Sequence, residues 1–108
     1  MFGMIYGALV CEKAGISIDA YVEKLPLTIK VVHDYYDVFA STMPSGNYSD
    51  PPASIGTYQA AFQDVLNTCQ ELGSPDEMPK LLHSPVKRGI DAGLADQQIT
   101  ALTKVMQT

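Results

Sequence analysis

The chain has 108 residues, a net charge of −5 and 46% hydrophobic residues, which is enough for one modest core. Its 7 lysine and arginine residues are scattered, and because a nucleic-acid-binding face needs clustered positive charge, no nucleic-acid partner is expected. The longest apolar stretch, residues 1–11, is too short to cross a bilayer and lacks the pattern of a signal peptide, so we expect no membrane association and a cytoplasmic location.

The first predicted element is a helix over residues 1–14. Its first ten residues (MFGMIYGALV) are apolar almost throughout, and no capping residue precedes them. A helix that is apolar on every side and begins without a cap is typical of the second half of a longer helix, or of a helix buried against a partner. Gly3 and Gly7 lie about one turn apart, a spacing that allows close approach of another helix, either in a dimer or within the chain.

The sequence of residues 15–43 predicts helices that are broken at Pro26. Ser17 is a suitable N-cap for a short helix, Ile18 to Lys24, and the residue before a proline avoids the helical conformation. The helix then resumes with an apolar stripe and ends before Pro44. The stripe consists of Val32, Tyr35, Phe39 and Met43.

Residues 44–52 are rich in proline and predict a loop, which is followed by an amphipathic helix over residues 53–73. In residues 74–108, which hold the C-terminal helices, Pro85 predicts a kink or a fresh start with Ser84 as N-cap. Asp96 is the predicted cap of the last helix. The apolar stripe of residues 53–73 contains Ile55, Tyr58, Phe62, Val65, Cys69 and Leu72, and Gly73 closes the helix. The chain is therefore predicted to be a single all-α domain of five to six helices.

This order of elements resembles a known family, the C-terminal helical domain of NADP-dependent imine reductases and reductive aminases. The resemblance rests on the segments YGALVCEKAGISIDAYVEKLPL, Gly46-Asn47-Tyr48, SIGTYQAAFQDVLNTCQELG, MPKLLHSPVKRGIDAG and LADQQITALTKVM. It implies a helical bundle like the C-terminal domain of 6-phosphogluconate dehydrogenase, within the β-hydroxyacid dehydrogenase superfamily. It also implies an interlocked homodimer, in which each active site lies between one subunit's NADP-binding Rossmann domain and the other subunit's helices.

No cofactor-binding or catalytic residue is predicted in this chain. The dinucleotide fingerprint G-x-G-x-x-G is absent, because Gly3 and Gly7 have the wrong spacing and lie within a helix. NADP is therefore expected only if a Rossmann domain is supplied. The family's proton-donating residue lies upstream of the segment that this chain resembles, so hydride transfer by this polypeptide alone is not expected.

Three residues are predicted to contact substrate. The resemblance places Tyr58 and Gln59 at positions that face the substrate cleft, although Tyr58 also belongs to an apolar stripe and has an alternative interpretation as a core residue. Tyr6 is the third, and with Tyr48 it could add a polar group to a mostly apolar pocket.

Other polar groups favour structural interpretations. His33 and Asp37 are four residues apart and could form a hydrogen bond on one helix face, but no nucleophile lies beside them, so a solvated face is preferred. Cys11 and Cys69 are predicted to be buried free thiols. No metal-ligand spacing is found, and no metal site is predicted.

Two functions from different classes follow. The first is a dimerisation and substrate-pocket module, the helical half of an oxidoreductase. An enzyme completed in trans by a separately encoded Rossmann subunit is a further possibility. The alternative is a stand-alone binding protein that holds a small apolar or amine ligand in the inherited helical cleft. The proportion of charged residues, 18%, is low for a soluble domain and suggests that apolar surface is kept for another chain, which favours the homodimer.

Overall fold

The computed structural model of the protein describes residues 1–107, which are organised as helices joined by short loops. The predicted all-α fold of five to six helices is confirmed over this range. None of the helices in residues 1–107 is both long and apolar enough to cross a membrane. The elements are α1 (Phe2–Lys13), α2 (Ile18–Ser45), α3 (Ile55–Leu72), α4 (Glu77–Asp91), a 3-10 turn (Ile99–Leu102) and α5 (Thr103–Met106).

The predicted break at Pro26 is wrong, because α2 continues through Pro26 and through Pro44 before it ends at Ser45. A proline inside a helix leaves the carbonyl of the fourth residue before it without its usual partner. For Pro26 that carbonyl belongs to Val22, and both residues are exposed, so water can bind the free oxygen. The predicted loop 44–52 therefore begins at Gly46, which ends α2 with a φ of 67°.

The C-terminal segment also differs from the prediction in two details. A fresh start at Ser84 is wrong, because α4 runs through Pro85, and Leu81, whose carbonyl loses its helical partner, is exposed to water. The cap of the last helical segment is Gln98 rather than Asp96. The side-chain oxygen of Gln98 accepts a hydrogen bond of 2.7 Å from the backbone N–H of Ile99.

The core lies where α3, α4 and the C-terminal turn meet. Ile55 and Ala101 are fully buried, and Val86 and Leu102 are almost fully buried beside them. Gly89 of α4 lies against the end of the Leu102 side chain, so that a larger residue there would collide with it. The predicted free thiols differ in burial, since Cys69 is buried and Cys11 is half-buried.

The loop after α2 is tied to the C-terminal segment by polar contacts. The backbone N–H of Gln98 donates to the carbonyl of Tyr48 at 2.8 Å, and the N–H of Ile55 donates to the carbonyl of Gln97 at 2.9 Å. The hydroxyl groups of Thr42 and Thr100 are 2.8 Å apart and connect α2 to the 3-10 turn. These contacts fix the C-terminal end of α2 on the core.

Helix α1 lies against α2 at Gly7. An added Cβ at Gly7 would be 2.5 Å from the hydroxyl oxygen of Tyr21, which donates a hydrogen bond of 2.9 Å to the carbonyl of Met4. Gly3, by contrast, has no atom within 4 Å of such a Cβ. The glycine pair was expected to allow close approach of another helix, either in a dimer or within the chain. For Gly7, the contact with Tyr21 supports packing within the chain.

The two glycines offer a matched pair of substitutions. We expect Gly3→Ala to be neutral or to stabilise the protein by up to about 1 kcal/mol, since alanine favours the helix. Gly7→Ala gains the same propensity but must displace Tyr21, so we expect it to be less stable than Gly3→Ala by about 1–3 kcal/mol. Urea unfolding at one fixed protein concentration measures both. Equal stability of the two variants would contradict the close contact between α1 and α2.

Candidate functional site

Tyr6 connects α1 to the first turn of α4. Its hydroxyl donates a hydrogen bond of 3.0 Å to Oε2 of Glu77 and accepts one of 3.4 Å from the backbone N–H of Met78. The hydrogen bond to Glu77 is the main reason why the pKa of Tyr6 is raised above its ordinary value. The hydroxyl of Tyr6 therefore has two hydrogen-bond partners in the first turn of α4.

A cavity of about 390 Å³ lies beside this contact. It is lined by Phe2, Tyr6, Glu77, Met78 and Leu81. The walls are almost entirely apolar, so the cavity suits a ligand with a large apolar part and few polar groups.

Tyr58 lies in a different place, on the first turn of α3. Its ring is half-buried and lies against the ring of Phe62, with 5.9 Å between the ring centres. Burial raises the pKa of Tyr58, and the nearby hydroxyl of Tyr35 on α2 adds to the increase. Because Tyr58 is only half-buried, it keeps surface that a ligand could contact.

Gln59, the next residue, is also half-buried. Neither Tyr58 nor Gln59 lines the cavity beside Tyr6 or the larger cavity described below. The three predicted substrate residues therefore fall into two groups within one chain, with Tyr6 at the α1–α4 contact and Tyr58 and Gln59 on α3. Their role in substrate binding stays a prediction.

The larger cavity has a volume of about 490 Å³ and lies between α1 and α2. Its walls are mainly apolar, which makes it a groove for an apolar group. It is lined by Met1, Gly3, Met4, Tyr21, Leu25, Thr28, Ile29 and Val32.

The polar cluster on α2 lies on an exposed face. Nδ1 of His33 is 3.6 Å from Oδ2 of Asp37, and both side chains are mostly exposed. With Asp34, their possible ligand atoms lie within 4.8 Å of one another. Exposed acidic groups of this kind are common without an ion, so we assign no metal to them.

Sequence reasoning missed two partners of the predicted residues, Glu77 beside Tyr6 and Tyr35 beside Tyr58. Glu77 is 71 residues from Tyr6 along the chain, and no local pattern reports a contact over that distance. Tyr35 falls in the predicted apolar stripe of α2, and its spacing in that stripe gives no sign that its hydroxyl lies near Tyr58.

A family model described as the NADPH-dependent reductive aminase-like C-terminal domain matches residues 1–108. The chain belongs to this family. The resemblance inferred from the order of its segments is therefore confirmed. No protein of curated function is similar enough in sequence to count as a relative.

Solved structures share the fold of this reductive aminase-like domain. An imine reductase from Pseudomonas sp. is 23% identical with a TM-score of 0.89, and the alignment covers 96% of this chain and 36% of that chain. An imine reductase from Bacillus cereus is 16% identical with a TM-score of 0.92, covering 100% of this chain and 38% of that chain. A reductive aminase from Aspergillus terreus in complex with NADPH and ethyl levulinate is 17% identical with a TM-score of 0.88. The alignment covers 96% of this chain and 36% of that chain.

The domain thus spans little more than a third of the length of these enzymes, between 36% and 38%. At these sequence identities, the structural similarity establishes the fold of the domain. Whether this chain takes part in the reactions of the longer enzymes is a matter for proposal.

The raised pKa of Tyr58 gives a prediction about the pH dependence of this reductive aminase-like domain. Because the folded-state pKa lies above the ordinary value of 10.0, the stability that neutral Tyr58 contributes is complete below pH 10.0 and is lost as pH rises through the folded pKa. Tyr58→Phe cannot ionise, so its stability should fall less steeply than that of the wild type above this pH. Urea unfolding of both proteins on either side of pH 10.0 tests this, and parallel pH profiles would contradict it.

Proposed function

We propose that this chain is the dimerisation and substrate-pocket module of an NADP-dependent oxidoreductase of the imine reductase type. A Rossmann domain, either upstream in the same polypeptide or on another subunit, would supply NADP and the residue that donates a proton. The family match supports the class of enzyme. A cytoplasmic location stays a prediction.

The observation that carries the proposal is that neither α1 nor α2 contains a buried residue, although both are rich in apolar side chains. Phe2 is 71% exposed, and Ile29 on α2 is 69% exposed. Apolar surface on this scale is typical of a protein–protein interface. The other large apolar residues that these helices expose are Met4, Ile5, Ile18, Val22, Leu27, Val31, Val32, Tyr35, Tyr36 and Phe39.

A second copy of the chain is the proposed partner. In a two-fold dimer the same apolar surface serves both subunits, so the exposed faces of α1 and α2 can cover one another. The interlocked arrangement expected for this family would bring helices of one subunit against those of the other. This would explain why Tyr6 lies apart from Tyr58 and Gln59 within one chain, since a pocket shared by two subunits draws its residues from both.

The deciding experiment is the molar mass in solution, measured by light scattering over a range of concentrations with and without NADPH. We expect a stable mass near twice 11.7 kDa that does not change with NADPH, because this chain has no dinucleotide fingerprint. A protein that unfolds cooperatively as a monomer at high concentration would overturn the dimerisation module.

The 490 Å³ apolar cavity between α1 and α2 favours a second candidate function, a stand-alone binding protein for a small apolar or amine ligand. A thermal-shift screen of amines, ketones and cyclic imines separates the two functions, since a specific ligand well above its dissociation constant raises the unfolding temperature. A monomer stabilised by one of these ligands would favour the binding protein. A dimer that none of them stabilises would favour the module.

A further inference from the structure

Tyr6 of α1 supplies the start of α4 with a hydrogen-bond acceptor that α4 does not provide for itself. The first N–H groups of a helix have no partner inside it, and the residue before the helix commonly provides an acceptor. Asp76 occupies that position but makes no such bond, and its Oδ2 lies 3.1 Å from Nζ of Lys80 and 3.4 Å from Nε2 of Gln70. The N–H of Met78 instead donates to the hydroxyl of Tyr6, a residue 72 positions earlier in the chain.

The same hydroxyl serves most of what this turn needs. Pro79 has no N–H, and the N–H of Lys80 already donates to the carbonyl of Asp76 at 3.0 Å, so only the two residues before Pro79 have N–H groups that need an outside acceptor. Besides accepting from Met78, the hydroxyl of Tyr6 donates to Oε2 of Glu77. The two bonds use its proton and a lone pair, and together they fix its orientation.

Helix α1 is held in place by few contacts of this kind. It contains no buried residue, and within residues 1–107 the two hydrogen bonds of Tyr6 are the only ones that join α1 to α4. Its polar contact with α2 is the bond from the hydroxyl of Tyr21 to the carbonyl of Met4. An element with no buried side chain opens at a low cost in free energy. The position of α1 therefore decides whether the first turn of α4 has its acceptor.

We propose that Tyr6 is a latch that couples the docking of α1 to the order of the first turn of α4. With α1 in place, the hydroxyl caps α4; with α1 displaced, the turn loses its acceptor and frays. Met78 and Leu81 of α4 line the cavity beside Tyr6, so the latch also fixes one wall of that cavity. The coupling acts in both directions, and loosening the start of α4 weakens the docking of α1.

This inference deepens the proposed function and rests on it for the event that moves α1, since α1 is an element that a Rossmann domain or a second subunit would contact. The coupling itself is a property of this chain and can be measured without NADP. Failure of the coupling and failure of the proposed function therefore give different results.

The first test is amide hydrogen exchange of Tyr6→Phe, followed by NMR. The variant loses only the hydroxyl, so we expect the amides of Lys80 and Leu81 to exchange roughly fivefold faster, as for loss of a helix cap. The amides of residues 86–90, further along α4, should keep their rates. The matched control is Tyr36→Phe, which removes an exposed hydroxyl on α2 and should leave the exchange of α4 unchanged.

The second test measures the coupling from the other side. Glu77→Ala removes the acceptor of the hydrogen bond from Tyr6 and should speed exchange of the amides of residues 7–10 in α1 roughly fivefold. Glu77→Gln keeps an oxygen acceptor at the same reach and should preserve most of the protection of α1. A merely local effect of Glu77 on α4 would not change exchange in α1. Circular dichroism checks that each variant is folded.

Unchanged exchange of Lys80 and Leu81 in folded Tyr6→Phe would overturn the inference, as would unchanged exchange of α1 in folded Glu77→Ala. Equal acceleration over the whole chain, the core included, would mean a general loss of stability and would also overturn it. Light scattering decides the proposed function separately. A monomer with coupled exchange keeps the latch and overturns the dimerisation module, whereas a dimer without the coupling keeps the module and overturns the latch.

Discussion

Replacing Ile55 by alanine is expected to lower the free energy of unfolding by about 2–5 kcal/mol, because the change removes methylene and methyl groups from the centre of the core. Ile55 is 0% exposed and packs with Val86 of α4 and with Ala101 and Leu102 of the 3-10 turn. The surrounding segments are fixed by backbone hydrogen bonds, including the 2.9 Å bond from the N–H of Ile55 to the carbonyl of Gln97, so they can close the cavity only in part. Urea unfolding at a fixed protein concentration measures the loss.

The matched control is Val65→Ala on the same helix. Val65 is 49% exposed, and removing part of an exposed aliphatic side chain changes stability by no more than about 0.5 kcal/mol. A loss at Val65 as large as that at Ile55 would mean that the outer face of α3 is covered in solution. A small loss at Ile55 would contradict the position of the core.

Local sequence signals predict α3 correctly because several independent signals agree there. Ser54 caps its start, with Oγ accepting a bond of 3.3 Å from the N–H of Thr57, and Gly73 ends it with a φ of 67°. Its apolar positions at spacings of three and four place Ile55 and Cys69 in the interior. When cap, periodicity and C-terminal glycine all indicate the same helix, the prediction does not depend on distant contacts.

The prolines show where local reasoning fails. The rule that proline breaks a helix assumes that the freed carbonyl finds no other partner. At Pro26 and Pro85 the residues whose carbonyls are freed, Val22 and Leu81, are 54% and 72% exposed, so water can take the place of the missing N–H. The tertiary fold decides whether a helix position faces water, and the residues near the proline do not by themselves show which positions these are.

The candidate site could be predicted only in part for the same reason. The resemblance indicated Tyr58 and Gln59, and the apolar first helix indicated the surroundings of Tyr6. The contact of Tyr6 with Glu77 depends on how α1 lies relative to the start of α4, and those segments are 71 residues apart. Contacts of this kind depend on how the helices pack against one another, and the periodicity within each helix does not predict that packing.

Stability is distributed unevenly over the molecule. The buried residues of the core come from α3, α4 and the C-terminal turn, whereas α1 and α2 contribute none. The two N-terminal helices make up more than a third of the residues but leave much of their apolar surface in contact with water. A partner subunit that covered them would stabilise these two helices most, because ordered but uncovered apolar helices gain the most from burial.

Introducing a charge at Ile29 is the strongest test of that interface. Ile29 is 69% exposed on α2 and lines the cavity between α1 and α2, so Ile29→Glu should leave the fold of one chain nearly unchanged. In a dimer that buries this face, the same change places an unpaired carboxylate against apolar surface, at a cost of about 3 kcal/mol or more. We expect the dimer to weaken by about a hundredfold or more, since each 1.4 kcal/mol corresponds to a factor of about ten.

Light scattering of a dilution series measures this dissociation, with Ile29→Leu as the control that keeps an apolar side chain of the same size. The control should stay dimeric, and the glutamate variant should approach the monomer mass of 11.7 kDa while its circular dichroism remains helical. A folded Ile29→Glu variant that stays dimeric at every concentration would contradict an interface on this face of α2. Loss of helical structure together with dissociation would instead show that α1 and α2 fold only against a partner, as obligate dimers do.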